Sequence, residues 1–198
     1  MPKTIFHRNL SLRLLKHWIN VSWPIFLLIS FTLILSFLNY QPGTTLTGWD
    51  NLHPEYNFSL NFKNAIFSVW QEKGVGFLAG MSFAADLPRI LFLYLLSAIS
   101  HMPIANVRYL WTFLALTIGP VSTFFLLHHI FLKPKFDPQT KRAASFLGAL
   151  FYLLNLATVQ YFFTSFETFI AFFAFFPLII LATTLYFERA SLKSGLSQ

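Results

Sequence analysis

In a chain of 198 residues, 56% hydrophobic and 11% charged, with 26 phenylalanines and a mean hydropathy of +0.59, there is too little polar surface to clothe a water-soluble domain, which carries roughly a quarter of its residues as charged ones. The absence of cysteine excludes disulfides, thiolate metal sites and a cysteine nucleophile. A net charge of +7 does not argue for nucleic acid, because the basic residues flank apolar runs instead of forming a stripe interleaved with aromatics.

Residues 1–20 form a basic amino-terminal segment with Lys3, Arg8, Arg13 and Lys16. Residues 21–40, VSWPIFLLISFTLILSFLNY, hold no charge and have the length of a bilayer crossing, about 20 residues at 1.5 Å each. Lys and Arg before this run, and none after it until Lys63, place the amino terminus in the cytoplasm. The following QPGTTLTG offers no small-x-small cleavage site, so the run reads as an uncleaved signal anchor.

Residues 41–86 are then an extracytoplasmic loop, and its chemistry differs from that of its surroundings. Four of the seven acidic residues, Asp50, Glu55, Glu72 and Asp86, fall in it. Irregular backbone opening with Gln41-Pro42-Gly43 cannot sit in lipid and must be hydrated or covered by protein. In 59–72 the apolar Phe62, Ile66, Val69 and Trp70 recur at helical spacing against Asn61, Asn64, Ser68, Gln71 and Glu72, which predicts an amphipathic helix lying along the membrane surface.

Glycines 74, 76 and 80 make 73–85 a flexible connection, and Asp86-Leu87-Pro88 predicts a helix start there. Residues 87–187 supply four further hydrophobic helices, near 87–101, 104–132, 143–162 and 167–187. The third membrane run has a soft break at Gly119-Pro120, and Asp137-Pro138 opens the helix after the Lys-rich loop. Thr164-Ser165-Phe166-Glu167 fits a capping box, which makes Glu167 a helix cap; an intramembrane functional carboxylate is the alternative. Residues 188–198 form a polar tail. The fold class is all-α: a polytopic membrane protein of about five hydrophobic helices, with a large first loop carrying an interfacial helix. If all five cross, the Lys-rich loop at 133–142 falls opposite the amino terminus; if 87–101 is re-entrant or interfacial, that loop and the tail return to the cytoplasm.

The stretch TGWDNLHPEYN at 47–57, followed by FKNAIFSVWQE and ADLPRILFLYLL, resembles the amino-terminal end of polytopic GT-C glycosyltransferases, above all the bacterial arabinofuranosyltransferase and mannosyltransferase-like branch. The resemblance implies a plasma-membrane enzyme whose extracytoplasmic loop carries an acidic motif and whose donor is a sugar on a polyprenyl phosphate. It places the loop carboxylate on Asp50, as general base toward the acceptor hydroxyl. Glu55 is the second candidate, to orient the acceptor or hold a metal, and Asn51, His53 and Arg89 are candidate substrate-binding residues. No cofactor is implied beyond a divalent cation, and Asp50-Asn51 stands where several relatives have paired acids. Family members continue through more helices, so the chain reads as part of a longer protein.

Other readings stand beside these. Asp50 alone suits a turn, His53 a solvated loop, and Arg89 an ion pair with Asp86 in place of a donor phosphate. Arg108 is expected to snorkel to headgroups, and the adjacent His128 and His129 point in different directions on a helix and mark an interface. The alternative of another class is a non-enzymatic membrane protein, either a transporter fragment or an assembly subunit, for which Glu167 and the Gly119-Pro120 kink would be the relevant features.

Overall fold

The computed structural model describes residues 22–48, 53–67, 70–71, 77–78, 80–131, 136–164 and 166–195. The architecture is helical: α1 (Ser22–Asn39), a one-turn 3-10 helix (Pro54–Tyr56), α2 (Phe58–Phe67), α3 (Gly80–Ser100), α4 (Ile104–Phe131), α5 (Pro138–Leu154), α6 (Leu156–Phe163) and α7 (Glu167–Gly195). Between α2 and α3 lies a two-residue antiparallel ladder of β1 (Trp70–Gln71) and β2 (Phe77–Leu78), with Trp70 opposite Leu78 and Gln71 opposite Phe77. Three segments are long and apolar enough to cross a bilayer: α1, α4 and residues Glu167–Arg189 of α7. α5 and α6 reach that standard as a pair, with a 44° bend between them. The chain is a helical protein with segments long and apolar enough to span a membrane.

Two compact units make up the fold. The first joins α1, α4 from Phe113 onward, α5, α6 and α7 from Thr168 onward. Its core is apolar. Leu28, Phe124 and Ala149 form one cluster, Ala115, Ile170 and Ala174 a second, and Leu116, Leu153 and Phe173 a third. Polar ties cross the apolar packing: Thr117 donates to the Thr32 hydroxyl at 3.0 Å, and the Tyr152 hydroxyl donates to the Phe173 carbonyl at 3.0 Å. Gly119 is packed so closely that a Cβ there would come within 2.3 Å of the Phe173 ring. The glycine therefore serves a close approach. α4 runs unbroken through Pro120, where local sequence signals alone suggest a soft break, and the Thr123 hydroxyl donates to the Gly119 carbonyl at 2.9 Å.

The second unit comprises Tyr40–Thr112 with Thr164–Glu167, so it contains the loop, α2, α3, the opening turns of α4 and the first residue of α7. Phe58 and Phe62 of α2 set their rings edge-on to Tyr94 of α3, at 5.5 and 5.6 Å. Phe92 of α3 packs on Trp111 of α4. The α3–α4 corner is made by residues 101–103, where His101 adopts a left-handed φ of 51° just past the helix end.

Several boundaries differ from the sequence-based expectation. The amphipathic helix ends at Phe67 and not at 72, because Trp70 and Gln71 enter the ladder; two glycines and a Val between the strands favour that hairpin over a helix. α3 begins at Gly80, seven residues before the expected 87, so Pro88 sits inside it. The carbonyl that Pro88 cannot bond belongs to Ala84, which is exposed, and an exposed carbonyl tolerates the loss. The expected 143–162 helix is two helices broken at Asn155, and the expected polar tail from 188 is helical as far as Gly195. The Asp137-Pro138 start is as expected: the Asp137 carboxylate accepts from the Gln139 and Thr140 amides at 2.9 and 3.1 Å.

Candidate functional site

The polar chemistry of the second unit converges on a buried ion cluster. Pro54 opens the 3-10 turn, the Asn57 amide closes it by donating to the Pro54 carbonyl at 3.1 Å, and the Asn57 side chain accepts from the Leu60 amide at 3.0 Å, which caps α2. The Asn61 side chain donates back to the Asn57 carbonyl at 2.8 Å. Turn and helix are thus joined, and between them Glu55 is turned inward with 3% of its surface exposed.

Glu55 meets Arg108, which projects from the second turn of α4 and is also 3% exposed. Nη1 of Arg108 donates to Oε1 of Glu55 at 3.0 Å. Nη2 of the same guanidinium pairs with Oε1 of Glu167, the first residue of α7 and equally buried. One planar cation thus bridges two carboxylates, a task that suits arginine's fork of donors. Nδ1 of His53 lies 3.3 Å from the Oε1 that Arg108 holds, and its ring packs on Tyr56. The His53 side chain is 15% exposed and so forms the outer edge of the cluster. Oε2 of Glu55 is buried with no hydrogen-bond partner among the described residues. Such an acceptor is costly to bury alone.

A second ion pair lies in the same unit. Arg89 donates through Nε and through its second terminal nitrogen to both oxygens of Asp86, each at 2.6 Å. The loop has a further tie to α4 at its start: the Tyr40 hydroxyl donates to the Asn106 side chain at 3.3 Å, and its ring meets Tyr109 edge-on at 5.0 Å. Tyr40 and Glu55 thus both meet the opening turns of α4.

Among the expected site residues, His53 and Glu55 are brought together, and Arg89 is engaged by Asp86 nearby. Asp50 and Asn51 lie outside the described residues. Glu55 is a poor partner for a divalent cation, because a guanidinium already occupies one oxygen, and among the described residues no group of three His, Asp or Glu side chains could hold a metal. Two expectations are corrected. Arg108 does not snorkel outward but is buried, and Glu167 spends its carboxylate on Arg108 from the first position of its helix. The signal for this pairing was present: Arg108 is the one charge in residues 90–132 and Glu167 the one charge in 143–187, and lone opposite charges in apolar runs seek each other.

In the first unit, Nε2 of His129 pairs with Glu188 at 2.9 Å, while the ring of His128 stacks on Phe124. The two histidines diverge, as their adjacency requires. Comparison with known protein families, curated proteins and solved structures finds no match.

Proposed function

We propose that this chain is the membrane part of a GT-C-type glycosyltransferase of the plasma membrane, transferring a sugar from a polyprenyl-phosphate donor to a cell-envelope acceptor. In this reading the amino terminus is cytoplasmic, five hydrophobic segments cross or enter the bilayer, and residues 41–86 work at the outer face. The acceptor hydroxyl attacks the anomeric carbon, the bond from that carbon to the phosphate oxygen breaks, and the hydroxyl proton passes to the Asp50 carboxylate. The departing polyprenyl phosphate needs no proton, only nearby donors for its charge.

The observation that supports this reading is Glu55. A loop carboxylate two residues before the end of the 47–57 motif has one oxygen fixed by Arg108 and His53 and the other buried without a hydrogen-bond partner among the described residues, which suits it to orient an acceptor hydroxyl. Asp50→Asn in the full-length protein is expected to lower transfer from a radiolabelled polyprenyl-phosphate sugar by roughly 10²- to 10⁴-fold, the usual worth of a general base. Unchanged transfer removes Asp50 as base.

A non-enzymatic membrane protein is the second reading, and the buried Arg108–Glu167 pair favours it, since ionisable groups inside spans mark transport paths. Both residues stand in the first two turns of their helices, however, where a span meets the interface. Solute uptake by proteoliposomes without sugar transfer would decide for transport.

A further inference from the structure

The exposed arc of α2 is a second surface with a chemistry of its own. At about 100° per residue, Ser59, Leu60, Lys63, Ile66 and Phe67 share one arc of roughly 120°. All five are exposed, with Leu60 at 44%, Ile66 at 57% and Phe67 at 77%. The opposite arc, Phe58, Asn61, Phe62, Asn64 and Ala65, is half-buried and faces its own unit, with Asn61 bonded to the preceding turn and both phenylalanines set against Tyr94. The helix therefore turns its amides inward and shows leucine, isoleucine and phenylalanine outward. This differs from the face that sequence periodicity assigns, because Phe62 is spent on Tyr94 and Trp70 on the ladder.

We infer that this arc docks on an anionic lipid surface, with Leu60, Ile66 and Phe67 entering the boundary between headgroups and acyl chains and Lys63 reaching a headgroup phosphate. The inference rests on the reading that residues 41–86 lie at the outer face of the bilayer. Lys63 decides between occupants. It stands in the middle of the apolar arc, and α2 contains no acidic residue to neutralise it. Lysine is depleted from the centres of protein–protein interfaces, whereas at a membrane interface its methylene stem lies along apolar surface while the ammonium meets phosphate. The chain that carries α2 also holds bilayer-spanning segments on either side of it in sequence, so the lipid surface is covalently close at hand.

Because the chain has no cysteine, single-cysteine variants can carry a spin label without background. L60C, I66C, F67C, N61C and N64C are placed in the full chain, reconstituted in nanodiscs of phosphatidylcholine alone or with phosphatidylglycerol added. Labels at 60, 66 and 67 are expected to collide with lipid-soluble oxygen more than with an aqueous nickel chelate, and labels at 61 and 64 to be shielded from both. Phosphatidylglycerol should deepen the first three, and K63E should abolish that deepening without altering the phosphatidylcholine values. Labels at 60, 66 and 67 that meet the nickel chelate freely, or are shielded from both reagents as under a protein partner, overturn the docking. Depth indifferent to phosphatidylglycerol overturns the anionic preference. A T45C variant labelled by impermeant maleimide on intact cells reports the outer-face placement separately, so a failure of that reading is told apart from a failure of the docking.

Discussion

Arg108 stands between two buried carboxylates, Glu55 and Glu167, and pairs with both. Replacing it with methionine leaves Glu167 buried without its cation and Glu55 with only His53 beside it, which is expected to cost about 3–5 kcal/mol, read as a lower unfolding midpoint in detergent. The neutral triple variant Glu55→Gln, Arg108→Met, Glu167→Gln is expected to recover most of that loss, because the penalty comes from charge without a partner more than from the absence of the bridge. Failure of the triple variant to recover would show that the bridge itself holds the unit together. All three residues belonged to the sequence reading, but their pairing did not. Glu55 and Arg108 are 53 positions apart, and local pattern assigned Glu167 to a cap because its neighbours Thr164 and Ser165 fit one.

Among the elements, those marked by composition were legible and those marked by close packing were not. The first span follows from an uncharged apolar run, and the start of α5 from Asp137-Pro138. The bend at Asn155 was missed because a single asparagine in an apolar run is a weak local signal. Its amide donates to the Tyr152 carbonyl at 2.8 Å and its oxygen accepts from the Thr158 amide at 3.0 Å, so it ends one helix and caps the next. Asp137 carries a pH consequence. Hydrogen bonds from the Thr140 hydroxyl, then from backbone amides, hold its carboxyl below the ordinary value of 3.8. A depressed folded-state value adds stability above the unfolded-state value and loses it as pH falls through the folded-state one. The unfolding midpoint should therefore fall on acidification below about 4, and Asp137→Asn should flatten that part of the profile. Between α4 and α7, Gly119→Ala is expected to cost about 1–3 kcal/mol, since the new methyl meets the buried Phe173 ring, and Phe173→Leu in the same chain should return part of it. A Gly119→Ala protein as stable as its parent would mean that the ring swings aside without loss.

Over the whole molecule, the outward surface of the candidate spans identifies the solvent. The span in α1 buries 17% of its residues and that in α7 22%, and most of their exposed positions are Phe, Leu and Ile. Water would make such a surface aggregate, while lipid makes it the expected one. Phe31→Arg on the exposed side of α1 should reduce membrane insertion by about 2.5–3.5 kcal/mol, measured as the inserted fraction of a glycosylation-tagged chain. Unchanged insertion would argue that this face meets water or protein. Composition sufficed to name the solvent, but the grouping of the loop with the starts of α4 and α7 into one unit depends on pairings far apart in sequence. Those pairings also set a timetable for the nascent chain. Glu55 leaves the ribosome on the order of a hundred residues ahead of Glu167, which at about 5–20 residues per second is a delay of roughly 5–20 seconds. Until α7 begins to emerge the cation can be matched by only one of its acids, so final closure of this centre belongs among the late events of biogenesis, after the earlier helices have been delivered to the bilayer.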